Sequence, residues 1–280
     1  MHPVIKHILA RKNKKVPVSD GRKIGLCLFG GSMTGIRGMG ALIALEEMGL
    51  TDAFDLIFTY SAGFPNAAYF VARESQLAAS VYYNNLPREK FVDFLRFWDI
   101  ANVKILIKIL KYEKPLLLSR VLKSKTKIYN RFVKNGNQIE YKEIHKMGKN
   151  FWKYLEAATS SPFVSPGKIK IGNAKYKDIG ITGSQMQNHL RYAIESDLTD
   201  LLVIYCRRDQ VEKNRLRSAK IFELIPSPKW KMSRLETNRE VLKKNCVAMG
   251  TLTKEVFGFK SAIKLEERKY DNINLTISRS

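Results

Sequence analysis

The chain has 280 residues, 45% of them apolar, which is enough for one large domain or two small ones and too apolar for a disordered tail or linker. No run approaches the roughly 18 to 20 apolar residues of a membrane-crossing helix, MHPVIKHILARKNKK is too short in apolar residues for a secretory signal, and three widely spaced cysteines (Cys27, Cys206, Cys246) suggest neither a disulfide framework nor a thiolate zinc site. The expectation is a chain that stays in a reducing cytoplasm, and its formal net charge of +23 calls for an anionic partner, an acidic membrane surface or a nucleic acid.

The charge is blocked along the chain: +6 over residues 1–23, −3 over 24–100, +10 over 101–150 and +7 over 207–244. After the basic leader (1–22), KIGLCLF (23–29) reads as a buried strand and FGGSMTGIRGMG (29–40) as a glycine-rich turn. MGALIALEEMGL (39–50) has helical spacing and closes on Gly49 as a C-terminal cap. FDLIFTYS (54–61) is a second strand, and AGFPNAAYFVARESQLAASVYY resumes a helix. Residues 86–125 mix helical periodicity with dense lysine, and a variable insertion is expected at about 85–125. TKIYNRFV (126–133) reads as a strand, FWKYLEAATSS (151–161) as a helix and KIKIGNAKYKDIG (168–180) as a strand or hairpin. GSQMQNHLRYAIE reads as a helix, LLVIYC (201–206) and AKIFELIP (219–226) as strands, and Ser233 to about Phe257 as a helix. The alternation predicts one α/β domain, with a mostly parallel sheet covered by helices and a ligand site beyond the carboxyl ends of the strands.

The strongest chemical signal is Ser61 in TYSAG, where an apolar strand must reverse into a helix. A serine on such a turn projects its hydroxyl as a nucleophile, and the usual form G-x-S-x-G keeps bulky side chains away from the crossing backbone. Here Gly63 supplies the second glycine and Thr59 stands in place of the first. The bland reading is a serine that caps a helix. Upstream, the turn at Gly30, Gly31, Ser32 and Met33 can converge backbone N–H groups on a developing negative charge. It also reads as a tight strand-to-helix turn or a phosphate loop. Against the last, Gly30, Ser32 and Gly35 match only two glycines of G-x-G-x-x-G, and Ile36 stands where a Walker lysine would.

In this order and spacing the motifs resemble those of the patatin-like phospholipase family. FGGSMTGIRGMG is similar to its glycine block, with Ser32 at the usual third glycine, Thr34 where a basic residue is usual, and Arg37 nearby as a partial substitute for that charge. TYSAGFPNAAYF resembles the nucleophile block, and AATSSPFVSPGKIKIGNAKYKDIG the approach to the catalytic aspartate, including Pro162. The aspartate maps to Asp178, with Ile179 in place of the next glycine and Gly180 retained. The likeness runs from about Lys23 to Gly183, within a hydrolase domain taken as 23–206, and leaves a basic region, 207–280, packed on the same domain. It implies a three-layer α/β fold, a Ser61–Asp178 dyad without histidine or metal or other cofactor, an oxyanion hole from Gly30, Gly31, Ser32 and Met33 with Gly35, Thr59, Gly63 and Gly180 in support, and hydrolysis of lipid acyl esters through an acyl-enzyme. In a triad of order Ser, Asp, His only His189 is available, and its ordinary reading is a surface or satisfied histidine.

VKILIKILKYEKPLLLSRVLK (103–123) puts Lys104, Lys108 and Lys111 on one helical face opposite aliphatic surface. Two readings stand side by side: an interfacial helix on anionic lipid at the inner face of a membrane, and a core-covering helix with a solvated lysine face. The leader allows the same pair. Two rivals to the hydrolase remain open: a lipid-binding protein that has lost catalysis through Thr59, Ser32 and Ile179, and a nucleic-acid binder using the basic stretches 207–220 and 226–244 with Trp230 to stack. No specific nucleic acid is expected, because no reading motif accompanies the charge.

Overall fold

A computed structural model of the chain describes residues 1–93, 95, 100–160, 167–179, 183–211 and 220–266. Pro162, Gly180 and residues 212–219 of the basic stretch lie outside the described residues. The eight described strands form one sheet: β1 (Ile24–Leu28), β2 (Leu56–Thr59), β3 (Lys127–Lys134), β4 (Gln138–Glu143), β5 (Ile169–Ile171), β6 (Ala174–Lys177), β7 (Asp200–Ile204) and β8 (Ile221–Leu224). Along the sheet the order is β5-β6-β3-β2-β1-β7-β8, with β4 also on β3. The run β3-β2-β1-β7-β8 is parallel throughout, and β4, β5 and β6 pair antiparallel.

Alternation along each strand divides the core between two faces. Ile24, Leu26 and Leu28 of β1 and Leu202 and Ile204 of β7 face one side, while Cys27, Leu201 and Val203 face the other. The first side is covered by α1 (Pro3–Ala10), α2 (Gly35–Glu47), α3 (Gly63–Val71), α4 (Ser75–Ser80), the short α5 (Leu86–Arg88), α6 (Val103–Lys108), α7 (Leu118–Lys123), α8 (Phe151–Thr159) and α10 (Arg239–Val256). The second is covered by α9 (Gly183–Ile194), through Leu190 and Ala193. The protein is therefore a three-layer α/β structure with a mostly parallel sheet.

Several elements differ from the sequence reading for physical reasons. The helix after Gly63 does not run on to Tyr83, because Arg73 turns into the left-handed region (φ 61°) and the chain restarts as α4. The last helix begins at Arg239, where the Asn238 side chain accepts from the N–H groups of Glu240 and Val241. Strand β4 was not anticipated from the sequence; it folds back on β3 through a turn at Asn135 and Gly136, both at positive φ. The leader is built into the domain: Val4, Ile5 and Ile8 of α1 are buried, and the buried Arg11 guanidinium bridges Asp20 at 2.8 Å and Asp55 at 2.7 Å.

The described residues beyond 207 are joined to the same core. Helix α10 crosses α2 so closely that a Cβ on Gly40 would lie 2.0 Å from the Cys246 carbonyl oxygen. Buried Arg37 of α2 adds a clamp, donating to Asn245 Oδ1, to the Cys206 carbonyl and to the Trp230 carbonyl. Replacing Gly40 with alanine should force the two backbones apart and cost about 1–3 kcal/mol, the range for overpacking a filled core. The urea midpoint is expected to fall accordingly, whereas Gly167→Ala, with open space around it, should leave it unchanged.

Candidate active site

The carboxyl ends of β1, β2 and β7 open onto one cavity of about 290 Å³. Pairing along β3 explains how a distant carboxylate reaches it. Residues 129–134 of β3 pair with β4 on one edge; on the opposite edge residues 127–130 pair with β2 and residues 133–134 with β6. Strands β2 and β6 thus lie end to end on the same edge, Thr59 opposite Asn130 and Lys177 opposite Val133. Three residue steps along β3, about 10 Å at 3.3 Å each, separate those pairings. Ser61 leaves one strand end and Asp178 the other, and both line the cavity, near enough for the Ser61 hydroxyl to act on the Asp178 carboxyl.

Ser61 sits in the left-handed region at φ 53° on the turn into α3, the strained conformation that lifts a side chain off a strand end. Its neighbours make room. A Cβ on Gly30 would fall 2.4 Å from the Tyr60 carbonyl oxygen and 2.7 Å from Ser61 Cβ, so only glycine lets the upstream loop pass so close to the elbow. Thr59 is accommodated because its hydroxyl donates sideways to Asn130 Oδ1 at 2.9 Å, and its Cβ stays 3.5 Å from the position a Cβ on Gly63 would take. Ile179 turns its side chain into the core on the far face of the sheet and gives its N–H to Asp178 Oδ1 at 2.8 Å.

Gly30, Gly31, Ser32 and Met33 all line the cavity with Ser61 and Asp178. Ser32, in place of a third glycine, is itself left-handed at φ 52°. The four are not equivalent as donors. Met33 gives its N–H to the Arg234 carbonyl at 3.1 Å, which removes it from the expected oxyanion set. Among the described residues no acceptor is paired with the N–H groups of Gly30, Gly31 and Ser32. Helices α2 and α3 both begin at this point, so their positive ends add to the field. Gly35 opens α2 and is held by Asn66, whose Nδ2 donates to the Gly35 carbonyl at 2.9 Å while Tyr82 donates to its Oδ1 at 3.0 Å.

Burial pushes the Asp178 carboxyl up from its ordinary value near 3.8 to about 7, against the opposing influence of the nearby Ser61 hydroxyl and the Ile179 N–H. A carboxylate that is a feeble base in water becomes one matched to neutral pH. His189 belongs elsewhere. It is fully buried on the opposite face of the sheet, between Phe29, Tyr60 and Tyr141, and burial holds it neutral by pushing it down to about 3. It is not among the residues lining the cavity.

The cavity's charge comes from residues the sequence reading did not single out. Arg207 and Arg234 line it and share Asp209, at 2.9 Å and 3.1 Å, and Arg207 Nη1 is 3.3 Å from where a Cβ on Gly31 would stand. Arg37, read as the substitute cation, is occupied in the clamp behind the loop and is not part of the cavity wall. The rest of the wall is apolar, including Pro65, Val81, Leu86, Phe91, Leu106 and Leu110. The signal for Arg207 was its place just after the buried strand LLVIYC, at the carboxyl end of a parallel strand. For Arg234, in an irregular segment, the sequence held none.

Comparison of the sequence with protein-family models and with curated proteins gave no match.

The raised Asp178 pKa makes a joint prediction for activity and stability. Below about pH 7 the proton on Asp178 blocks it as a base, so any reaction that uses it as one should lose about tenfold in rate per pH unit on the acid side. A carboxyl with a higher pKa folded than unfolded binds more protons in the folded state between the two values, so it subtracts stability as pH rises through that window. Above about 7 the cost of ionising Asp178 is on the order of 4 kcal/mol. Asp178→Asn should therefore remove that base yet raise the thermal midpoint by several degrees at pH 8, with a smaller gain at pH 5, as read by calorimetry at the two pH values.

Proposed function

We propose that this protein is a serine acyl hydrolase of the patatin-like type, cleaving lipid acyl esters through Ser61 and Asp178. The observation that carries the reading is that the left-handed Ser61 and the buried Asp178 face one apolar cavity, shared with Gly31 and Ser32. Asp178 takes the Ser61 proton as Oγ attacks the ester carbonyl, and the oxyanion of the tetrahedral intermediate accepts from the Gly31 and Ser32 N–H groups. Collapse expels the alcohol with the proton returned by Asp178 and leaves an acyl-Ser61. Water, deprotonated by Asp178, then attacks the acyl group, releases the fatty acid and restores Ser61.

The wall of Val81, Leu86, Phe91, Leu106 and Leu110 suits an acyl chain, and a volume near 290 Å³ lies at the small end of ligand sites, which run from about 300 Å³ upward. That favours one chain at a time. Arg207 and Arg234 suit an anionic group on the alcohol side. Attachment to an anionic membrane surface is part of the proposal, and it rests on α6. Its Leu106 faces inward over the cavity, and Lys104 and Lys108 are exposed. Among the described residues no helix is long and apolar enough to cross a membrane.

A fluorophosphonate probe should label the wild type once and Ser61→Ala not at all, with unchanged thermal midpoints, and His189→Ala should keep most ester hydrolysis if it folds. An unlabelled, well-folded wild type would leave lipid binding as the better account.

Binding to anionic vesicles should weaken steeply with salt, since each lysine near the surface contributes about 1 kcal/mol. Changing Lys104 and Lys108 to glutamine should reduce that binding while soluble-ester cleavage stays constant. Equal binding to neutral vesicles at all salt levels would remove the membrane part of the proposal, and tight binding to duplex DNA would favour a nucleic-acid partner.

A further inference from the structure

Gln210 ends a short turn after β7 and is buried. Every polar group of its amide is used on segments that build the cavity. Oε1 accepts from the Cys206 N–H at 3.0 Å and the Arg207 N–H at 2.9 Å, and Nε2 donates to the Gly30 carbonyl at 2.6 Å and to the Tyr60 hydroxyl at 3.0 Å. Two N–H donors on one side and a carbonyl on the other fix which end of the amide is oxygen and which is nitrogen. One side chain thus ties together the exits of β1, β2 and β7.

The bond to Gly30 governs more than Gly30. The Gly30 carbonyl and the Gly31 N–H belong to one planar trans peptide unit and point in opposite directions. Gly31 lines the cavity and Gln210 does not. A carbonyl held toward Gln210 therefore turns the Gly31 N–H away from it. The next unit is fixed by the same means: the Gly31 carbonyl accepts from Thr34 Oγ1 at 2.6 Å and from the Thr34 N–H at 3.1 Å, which orients the Ser32 N–H. A Gly–Gly peptide has little side-chain bulk to resist rotation, and a flipped unit would present a carbonyl oxygen to the substrate.

Resting on the hydrolase reading above, we propose that Gln210 is a positioning residue that locks the Gly30–Gly31 peptide so that the Gly31 N–H stays aimed at the oxyanion, with Thr34 as the corresponding lock on the next peptide. Glutamine suits the task chemically. Glutamate has no hydrogen to give Gly30, asparagine is one methylene too short for the same span, and a hydrophobic residue offers neither donor nor acceptor. Thr34, at the position where the resembling family has a basic residue, does its work through a hydroxyl.

The test is Gln210→Met, which keeps the volume and removes the lock, with Thr34→Val as a second variant that retains the backbone bond to Gly31. For the first, kcat on a soluble ester should fall about tenfold to hundredfold, since losing a whole oxyanion donor costs about 10² to 10³, while KM stays within about twofold. For Thr34→Val the fall should be about threefold to tenfold. A trifluoromethyl ketone analogue of the ester, which forms the tetrahedral adduct, should lose affinity by the same factor as kcat/KM. The matching non-reactive amide should bind as before. A folded Gln210→Met enzyme with undiminished kcat, or one that loses amide and ketone binding equally, would overturn the lock; so would an indifferent Thr34→Val if Gln210→Met does not fold. A wild type that turns over no ester and resists the fluorophosphonate would sink the hydrolase reading together with this one, whereas an active wild type with an indifferent Gln210→Met sinks this one alone.

Discussion

The site depends on a single edge of β3. One stretch of that edge carries a parallel strand, β2, and the next stretch an antiparallel one, β6, so that two strand ends approach head-on. Ladder register is rigid, because a slip of one residue would turn every side chain to the opposite face. The distance between the turn bearing Ser61 and the turn bearing Asp178 is therefore set by backbone pairing. Strand β4 secures the arrangement from the other edge, covering β3 from Tyr129 to Lys134 and so spanning both junctions.

Bringing Asp178 into that gap removes it from water, and this gives the carboxyl its chemistry. The same burial that would destabilise an ionised side chain moves its pKa to about 7, where it can accept a proton from a hydroxyl. The positive ends of α2 and α3, and the Arg207–Asp209–Arg234 group, lie on the side of the cavity where negative charge would develop. Two non-glycine residues in left-handed conformations, Ser32 and Ser61, face the same space. Both are held by neighbours: the loop by Gln210, Thr34 and the Arg234 carbonyl, the elbow by Gly30 and by Thr59 anchored to Asn130.

The basic excess has a different relation to the fold. Lysines at 104 and 108 are exposed, while Leu106 between them closes over the cavity, so one face of α6 is accounted for by the core and the other is left to the proposed anionic surface. Arg11 and Arg37 are structural cations, one paired to two aspartates and one donating to carbonyls and an amide. Trp230 packs against the core, and its carbonyl is held by Arg37, which weakens the case for a base-stacking platform.

Local pattern alone determined much of this. Short apolar runs ending in glycine or polar turns gave β1, β2, β7 and β8 and the α/β class, because buried parallel strands read as continuous hydrophobic stretches. The Ser61 turn and the glycine loop were legible for the same reason: a strand that reverses into a helix beside a crossing loop needs small residues at fixed offsets. Asp178 was reached only through resemblance, 117 residues from Ser61, and its meeting with Ser61 is a matter of which strands share an edge of β3. Strand β4, half-exposed and charged, carried no apolar signal. Loss of the Met33 amide to Arg234, the transfer of cavity charge from Arg37 to Arg207 and Arg234, and the four bonds of Gln210 all join residues far apart in the chain. Sequence spacing records which side chains are available; only the packed structure decides which hydrogen bonds they have already spent.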